Sequence, residues 1–160
     1  METIAYRFIE NKTAWGTGPW LDEPDKVQWP DAATGLPCLA VRHPDLGHWC
    51  GYVGVGPDHP TYGRHYDDVM AEAHGGLTYG AFCADDDKEQ GICHVAGDGD
   101  FDPAWWLGFD CAHVGDLSPG SSSGFRLALF PTRTPDAYRT LAFVKAECAT
   151  LAAQLQEMTA

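Results

Sequence analysis

The chain has 160 residues, with ten Lys and Arg against 23 Asp and Glu and a formal net charge of −13. So few cations cannot neutralise a phosphate backbone, which argues against general nucleic-acid binding; a bound cation or a basic partner suits the field better, and solubility alone would also account for it. No apolar run approaches the roughly 18 residues of a membrane span, and residues 1–10 carry no basic region followed by an apolar stretch, so no signal peptide is expected.

Hydrophobic residues make up 44% of the chain, which is globular rather than disordered composition. The expectation is one domain over residues 1–160. The six cysteines, without a secretory leader, are expected to be reduced in a cytoplasmic protein.

Residues 4–9 form a weakly alternating first strand. Residues 15–31 are punctuated by Gly and Pro and read as a long irregular segment. Its tryptophans, Trp15, Trp20 and Trp29, either staple the loop to the domain or mark a binding surface; stapling is favoured because a loop of this length needs packing of its own. Residues 36–55 read as a β-hairpin. Leu39 and Val41 alternate with Cys38, Ala40 and Arg42, and Trp49, Val53 and Val55 alternate with His48, Cys50 and Tyr52. Pro44-Asp45-Leu46-Gly47 makes the turn.

Residues 64–73 form a short helix or only a connection. His74-Gly75-Gly76 leads into a strand with Leu77, Tyr79 and Ala81 on one face, and residues 92–96 read as another short strand. The paired glycines would admit a ligand close to backbone, or make a turn. Asp98, Asp100 and Asp102 have the spacing that opens a calcium loop. Pro103 takes the glycine position, however, and Phe109 the place of the bidentate Glu, so a solvated acidic turn is the better reading.

Trp105-Trp106-Leu107-Gly108-Phe109-Asp110 reads as a central strand. Trp105, Leu107, Phe109 and Cys111 share an apolar face; Trp106, Gly108 and Asp110 share the other. A glycine there marks a bulge or the close approach of another group. Residues 117–124 are a Ser/Gly/Pro loop, and residues 125–130 an edge strand. Thr134-Pro135 then starts a helix, with Leu141, Val144, Cys148, Leu151, Leu155 and Met158 as one apolar stripe. The whole predicts an α+β fold: a mainly antiparallel twisted sheet with a C-terminal helix packed on one face, and long loops.

The chemistry-bearing residues gather around that central strand. A polar pocket lined by His74, Trp106, Asp110, His113 and Asp116 would suit metal-assisted hydrolysis of a small substrate. His74, His113 and Asp116 would hold zinc, and Asp110, His113 and Asp116 would carry the catalysis. Gly75, Thr78 and Trp106 would join His74 in contacting ligand. The plainer reading is that Asp110 and His113 cap backbone in a tight turn. Other candidates are a structural zinc on Cys83, Cys93, His94 and Cys111, and a thiol nucleophile at Cys50 or Cys111 beside His74 or His113. The competing function is a non-catalytic binder, sequestering a small molecule or blocking a host protein with an acidic, Trp-rich surface. There is no HExxH, no CxxC, no P-loop or Rossmann glycine pattern, no zinc-deaminase signature and no Gly-x-Ser-x-Gly.

Several strings carry a resemblance: Gly18-Pro19-Trp20 with Glu23-Pro24-Asp25, Gly35-Leu36-Pro37-Cys38-Leu39, Cys50-Gly51-Tyr52-Val53-Gly54-Val55, His74-Gly75-Gly76-Leu77-Thr78-Tyr79, and Gly108-Phe109-Asp110-Cys111-Ala112-His113 with Gly115-Asp116. Over residues 15–119 the chain resembles a family of uncharacterised proteins found in bacteriophage and bacterial genomes. The resemblance implies an intracellular setting and no mechanism.

Overall fold

The computed structural model describes residues 1–97, 102–121 and 134–160. The edge strand expected over residues 125–130, and Asp98 and Asp100 of the acidic turn, lie outside them. Among the described residues, six strands form one antiparallel sheet: β1 (Ile4–Tyr6), β2 (Lys26–Pro30), β3 (Pro37–Arg42), β4 (Trp49–Val55), β5 (Tyr79–Phe82) and β6 (Trp105–Asp110). Their order is β1-β2-β3-β4-β6-β5, so residues 56–78 carry the chain past the place β6 will fill. The helix α1 (Leu141–Glu157) packs on β3 and β4. This is the expected α+β arrangement.

The hairpin follows the pattern. Val41 pairs with Cys50 and Cys38 with Val53, and Gly47 closes the turn at φ +80°, where a side chain is disfavoured. Alternation sends Cys38, Ala40, Trp49, Val53, Leu107 and Phe109 to the helix face, where Val144, Cys148, Leu151 and Leu155 meet them in one buried core. Gly51 lets the helix come close, because a Cβ there would overlap Phe109 and crowd Cys148. The opposite face carries a second core of Leu39, Val41, Tyr52, Ala104 and Trp106. Gly108 in that face leaves the space that the Tyr52 ring occupies.

Three elements differ from expectation. Lys26–Pro30, read as irregular, is a strand between β1 and β3. Its alternation is disguised because the residues facing the second core are polar yet buried. Lys26 Nζ donates to the carbonyls of Lys88, Gly91 and Cys93, each at 2.7 Å, and the Gln28 amide spans Glu2 O, Val95 O and Val95 N. Residues 92–96 are therefore not a strand; they are coil held against β2 by these side chains. Residues 64–73, left open between a short helix and a connection, are a connection with one 3-10 turn, Tyr66–Asp68. The helix begins at Leu141, not after Thr134. Thr140 caps it by accepting from Phe143 N, and Ala137 instead bridges in parallel to Asp116.

Cysteine pairing also departs from the reduced state expected. Cys83 and Cys93 form a disulfide, while Cys38, Cys50, Cys111 and Cys148 are free. With two of its four ligands bonded to each other, the structural zinc site on Cys83, Cys93, His94 and Cys111 is removed.

The long segment before β2 is stapled down. Trp20 is buried and Trp15 lies against Gly47 and Gly120, and the Lys145 ammonium sits over the Trp29 ring. Beneath it runs a buried charge network. Lys12 Nζ is 2.6 Å from Asp25, and Arg42 reaches Asp25 and Glu23 while its guanidinium lies 4.2 Å from the Trp49 ring centre. Glu23 in turn accepts from Tyr138 and from the first amide of α1, Leu141 N. Each charge here has a partner, which burial requires. No described helix is long and apolar enough to cross a membrane.

Candidate metal centre

The end of β6 brings the predicted polar residues together. After Asp110 the chain turns, with Asp116 N donating to His113 O and Gly115 at φ +94°. The turn aims the His113 ring and the Asp116 carboxylate back toward the segment before β5, which supplies His74. His74 Nε2 lies 2.8 Å from Asp116 Oδ2, and the two imidazoles stand edge to face with centres 5.7 Å apart. His113 Nδ1 lies 3.6 Å from Asp116 Oδ2 and 3.5 Å from Asp110 Oδ1. One ligating atom from each of His74, His113 and Asp116 falls within 4.8 Å of the others.

Local backbone explains this convergence. Gly75 has φ +71°, and a Cβ on it would overlap the His113 ring. The glycine is therefore both turn and seat: the imidazole lies against bare backbone. His74 is fixed from the other side, where its amide donates to Glu147 Oε2 and its ring meets Phe143 edge-on, both on α1. Asp116 is 1% exposed in its side chain. It accepts from Arg139 Nε through Oδ1 at 2.8 Å, and from the His113 amide through Oδ2 at 3.0 Å. Burial works to raise its pKa, but the Arg139, His74 and His113 hydrogen bonds outweigh that and hold it below the ordinary carboxylate value. It is a carboxylate at neutral pH.

His113 Nδ1 is a buried ring nitrogen with no hydrogen-bond partner. It faces two carboxylates at 3.5 and 3.6 Å, too far for a hydrogen bond but close to the edge of a coordination polyhedron. Ligands about 2.0–2.1 Å from a tetrahedral ion stand about 3.3–3.4 Å from one another. The His74–Asp116 and His113–Asp116 separations bracket that spacing. The side chains of His74 and His113 are 20% and 33% exposed, so the cluster is open to solvent on one side.

The remaining predicted residues divide. Asp110 stands at the rim, 31% exposed, held by Thr78 Oγ1 at 3.1 Å and by Ala112 N at 3.0 Å. Thr78 thus positions Asp110. The capping expected of this turn is real, but Asp110 and Asp116 provide it through Ala112 N and His113 N while His113 does not. Trp106 is not part of the pocket. It is fully buried in the second core, with Nε1 donating to Asp102 and its ring against His94. Its strand position does share a face with Asp110, but Ile92, His94, Asp102 and Ala104 cover that face at Trp106. Asp102 is consumed in the same contacts, accepting also from His94 N and Ala104 N, which leaves it no part in a calcium loop.

The thiols do not suit nucleophilic chemistry. Burial, with Asp110 adding to it, pushes Cys50 up to about 12. Cys111 is buried and likewise raised, first by burial and then by Asp116. Sequence reasoning missed Arg139, Phe143 and Glu147. Arg139 lies just before α1 and Phe143 and Glu147 in its first two turns, and placing the helix start several residues early hid their alignment with His74 and Asp116. It also missed the buried pair Ser118 and His48, 3.1 Å apart, beneath the same turn.

No protein-family model matches the chain, and neither a curated protein nor a solved structure does.

Proposed function

We propose that His74 Nε2, His113 Nδ1 and Asp116 Oδ2 bind a zinc-type divalent cation, and that the centre hydrolyses a small substrate. The observation that carries this reading is the buried, partnerless His113 Nδ1, aimed at two carboxylates beside a second imidazole. Two imidazoles and one carboxylate match the donor set of catalytic zinc, which keeps a fourth position for water. The ion's contribution is to acidify that water toward neutral pH.

The chain's own residues supply the rest. Arg139 Nε on Asp116 Oδ1 and the His113 amide on Oδ2 fix the carboxylate plane, as carboxylates around metal sites commonly require, and the second lone pair of Oδ2, on the side of His74 Nε2, would coordinate the ion. Glu147 and Phe143 hold His74 in place. Asp110, presented by Thr78 beside His113, is within reach to take a proton from an attacking water.

Metal analysis of purified protein tests the proposal. One zinc per chain is expected, lost in His113→Ala while the fold survives, together with zinc-dependent cleavage of p-nitrophenyl acetate that falls at least tenfold in Asp110→Asn. Protein that takes up no divalent ion at micromolar concentration would sink the metal reading. It would leave the cluster as a hydrogen-bonded knot closing the end of β6, and the non-catalytic binder as the better account.

A further inference from the structure

A cavity of about 370 Å³ lies on the sheet face opposite α1. Val41, Cys50 and Tyr52 form its floor, Phe8, His43 and Tyr79 its sides, and residues 84–85 and 90–92 its outer wall. That outer wall is fixed at both ends. The Cys83–Cys93 disulfide closes the loop at its base, and the Lys26 ammonium pins the carbonyls of Lys88, Gly91 and Cys93 from within. The cavity is thus preformed, and its volume falls at the small end of the range for ligand sites.

Its chemistry is selective. Tyr52 and Tyr79 meet edge to face with ring centres 5.2 Å apart, giving aromatic surfaces suited to a flat ring. Arg42 lines the cavity by its backbone, because its guanidinium lies on the other face over Trp49. Among the described residues, then, the lining has no Lys or Arg side chain directed inward, and its one acidic residue is the exposed Asp85 at the rim, whose Oδ1 lies 3.5 Å from Asp87 N. An anion would lose hydration here with no Lys or Arg to replace it; an amine would meet aromatic rings within and an acidic residue at the rim.

The cavity also adjoins the His/Asp centre. Cys50 on its floor pairs with Asp110 across β4 and β6, so the two side chains stand side by side on one face. Thr78, which holds Asp110, precedes the wall residue Tyr79. Asp110 therefore stands between the cavity and His113.

We infer that this cavity receives the ring of the substrate on which the centre acts, and that the substrate is a small neutral or amine-bearing aromatic compound. The link to catalysis rests on the proposed metal centre; the cavity's preference for its ligand does not. The test uses the full chain and three probes of matched shape and different charge: benzylamine, benzyl alcohol and benzoate. Two-dimensional amide NMR should show saturable shifts at Val41, Cys50, Tyr52 and Ile92, with benzylamine at least tenfold tighter than benzoate. Asp85→Asn, on the surface, should narrow that ratio at least threefold.

Equal or stronger binding of benzoate, or no saturable shift at those residues, would overturn the inference. Metal-free His113→Ala should still bind benzylamine, whereas cobalt(II)-loaded wild type should broaden the benzylamine ring protons. Benzylamine binding without metal uptake would refute the centre and leave the cavity standing. Metal uptake without benzylamine binding would refute the cavity alone, and cobalt(II) loading that leaves bound benzylamine sharp would break the link between them.

Discussion

Gly75 and Gly76 offer a matched pair of perturbations on the same turn. Both have positive φ, +71° and +85°. Alanine at either position incurs the left-handed penalty of about 1–2 kcal/mol, offset by about 0.4–1 kcal/mol from the stiffer unfolded chain. Each variant should therefore lose roughly 1 kcal/mol of stability. Their surroundings differ. The Cβ of Gly76→Ala would have nothing within 4 Å, whereas that of Gly75→Ala would fall inside the His113 ring. To restore a carbon–carbon contact of about 3.5–4 Å, the ring must retreat by about 1 Å or more, beyond the roughly 0.5 Å that a functional constellation tolerates. Zinc affinity, read by competition with a chromophoric chelator, should fall at least tenfold in Gly75→Ala and less than threefold in Gly76→Ala, with similar urea midpoints. Equal losses of zinc in the two variants, or wild-type affinity in Gly75→Ala, would refute the claim that this glycine seats a ligand imidazole.

Acid should unfold the protein through its buried carboxylates. Asp116, Asp25 and Asp102 are each raised by burial but lowered further by hydrogen bonds from their partners, so all three lie below the ordinary carboxylate value in the folded state. Their contribution is complete above the unfolded carboxylate pKa of about 3.9 and is lost as pH falls through the lower folded values. A urea midpoint that declines modestly below about 6.5, where the unfolded chain protonates a His48 that burial keeps neutral, and drops steeply below about 4 is expected; stability that rises on acidification would contradict these contacts. Lys26→Met should strand three carbonyls, one buried and two half-buried, at a cost of about 3 kcal/mol, with amide exchange accelerating in residues 83–93. Unchanged protection there would show that the ammonium does not hold that loop. Cys50, pushed up to about 12 by burial first and Asp110 second, should resist iodoacetamide in native protein at pH 8 and react on unfolding; rapid native alkylation would return it to candidacy as a nucleophile.

What could be read from the sequence follows from where polarity sits. Strands whose two faces carry apolar residues at period two, the hairpin and Trp105–Asp110, announce themselves, as does the stripe on α1. Lys26–Pro30 does not, because Lys26 and Gln28 occupy buried positions and satisfy their polarity with carbonyls and amides some sixty residues away; no local pattern can foretell those partners. The same rule governs the site. His113 and Asp116 are close in sequence and their turn can be foreseen, whereas His74 is offered by its imidazole alone and only the fold brings it beside them. Strand face alone would put Trp106 in the pocket. A face in this sheet is not one environment: Ile92, His94, Asp102 and Ala104 bury it at Trp106, while four residues along, at Asp110, it opens to solvent. Parity decides which side of the sheet a residue faces, and the covering coil decides whether that side is core or site. Here the covering coil is positioned by a buried lysine, a glutamine and a disulfide, so the boundary between the second core and the candidate binding face is set by the very residues that hide the strand from a reader of the sequence.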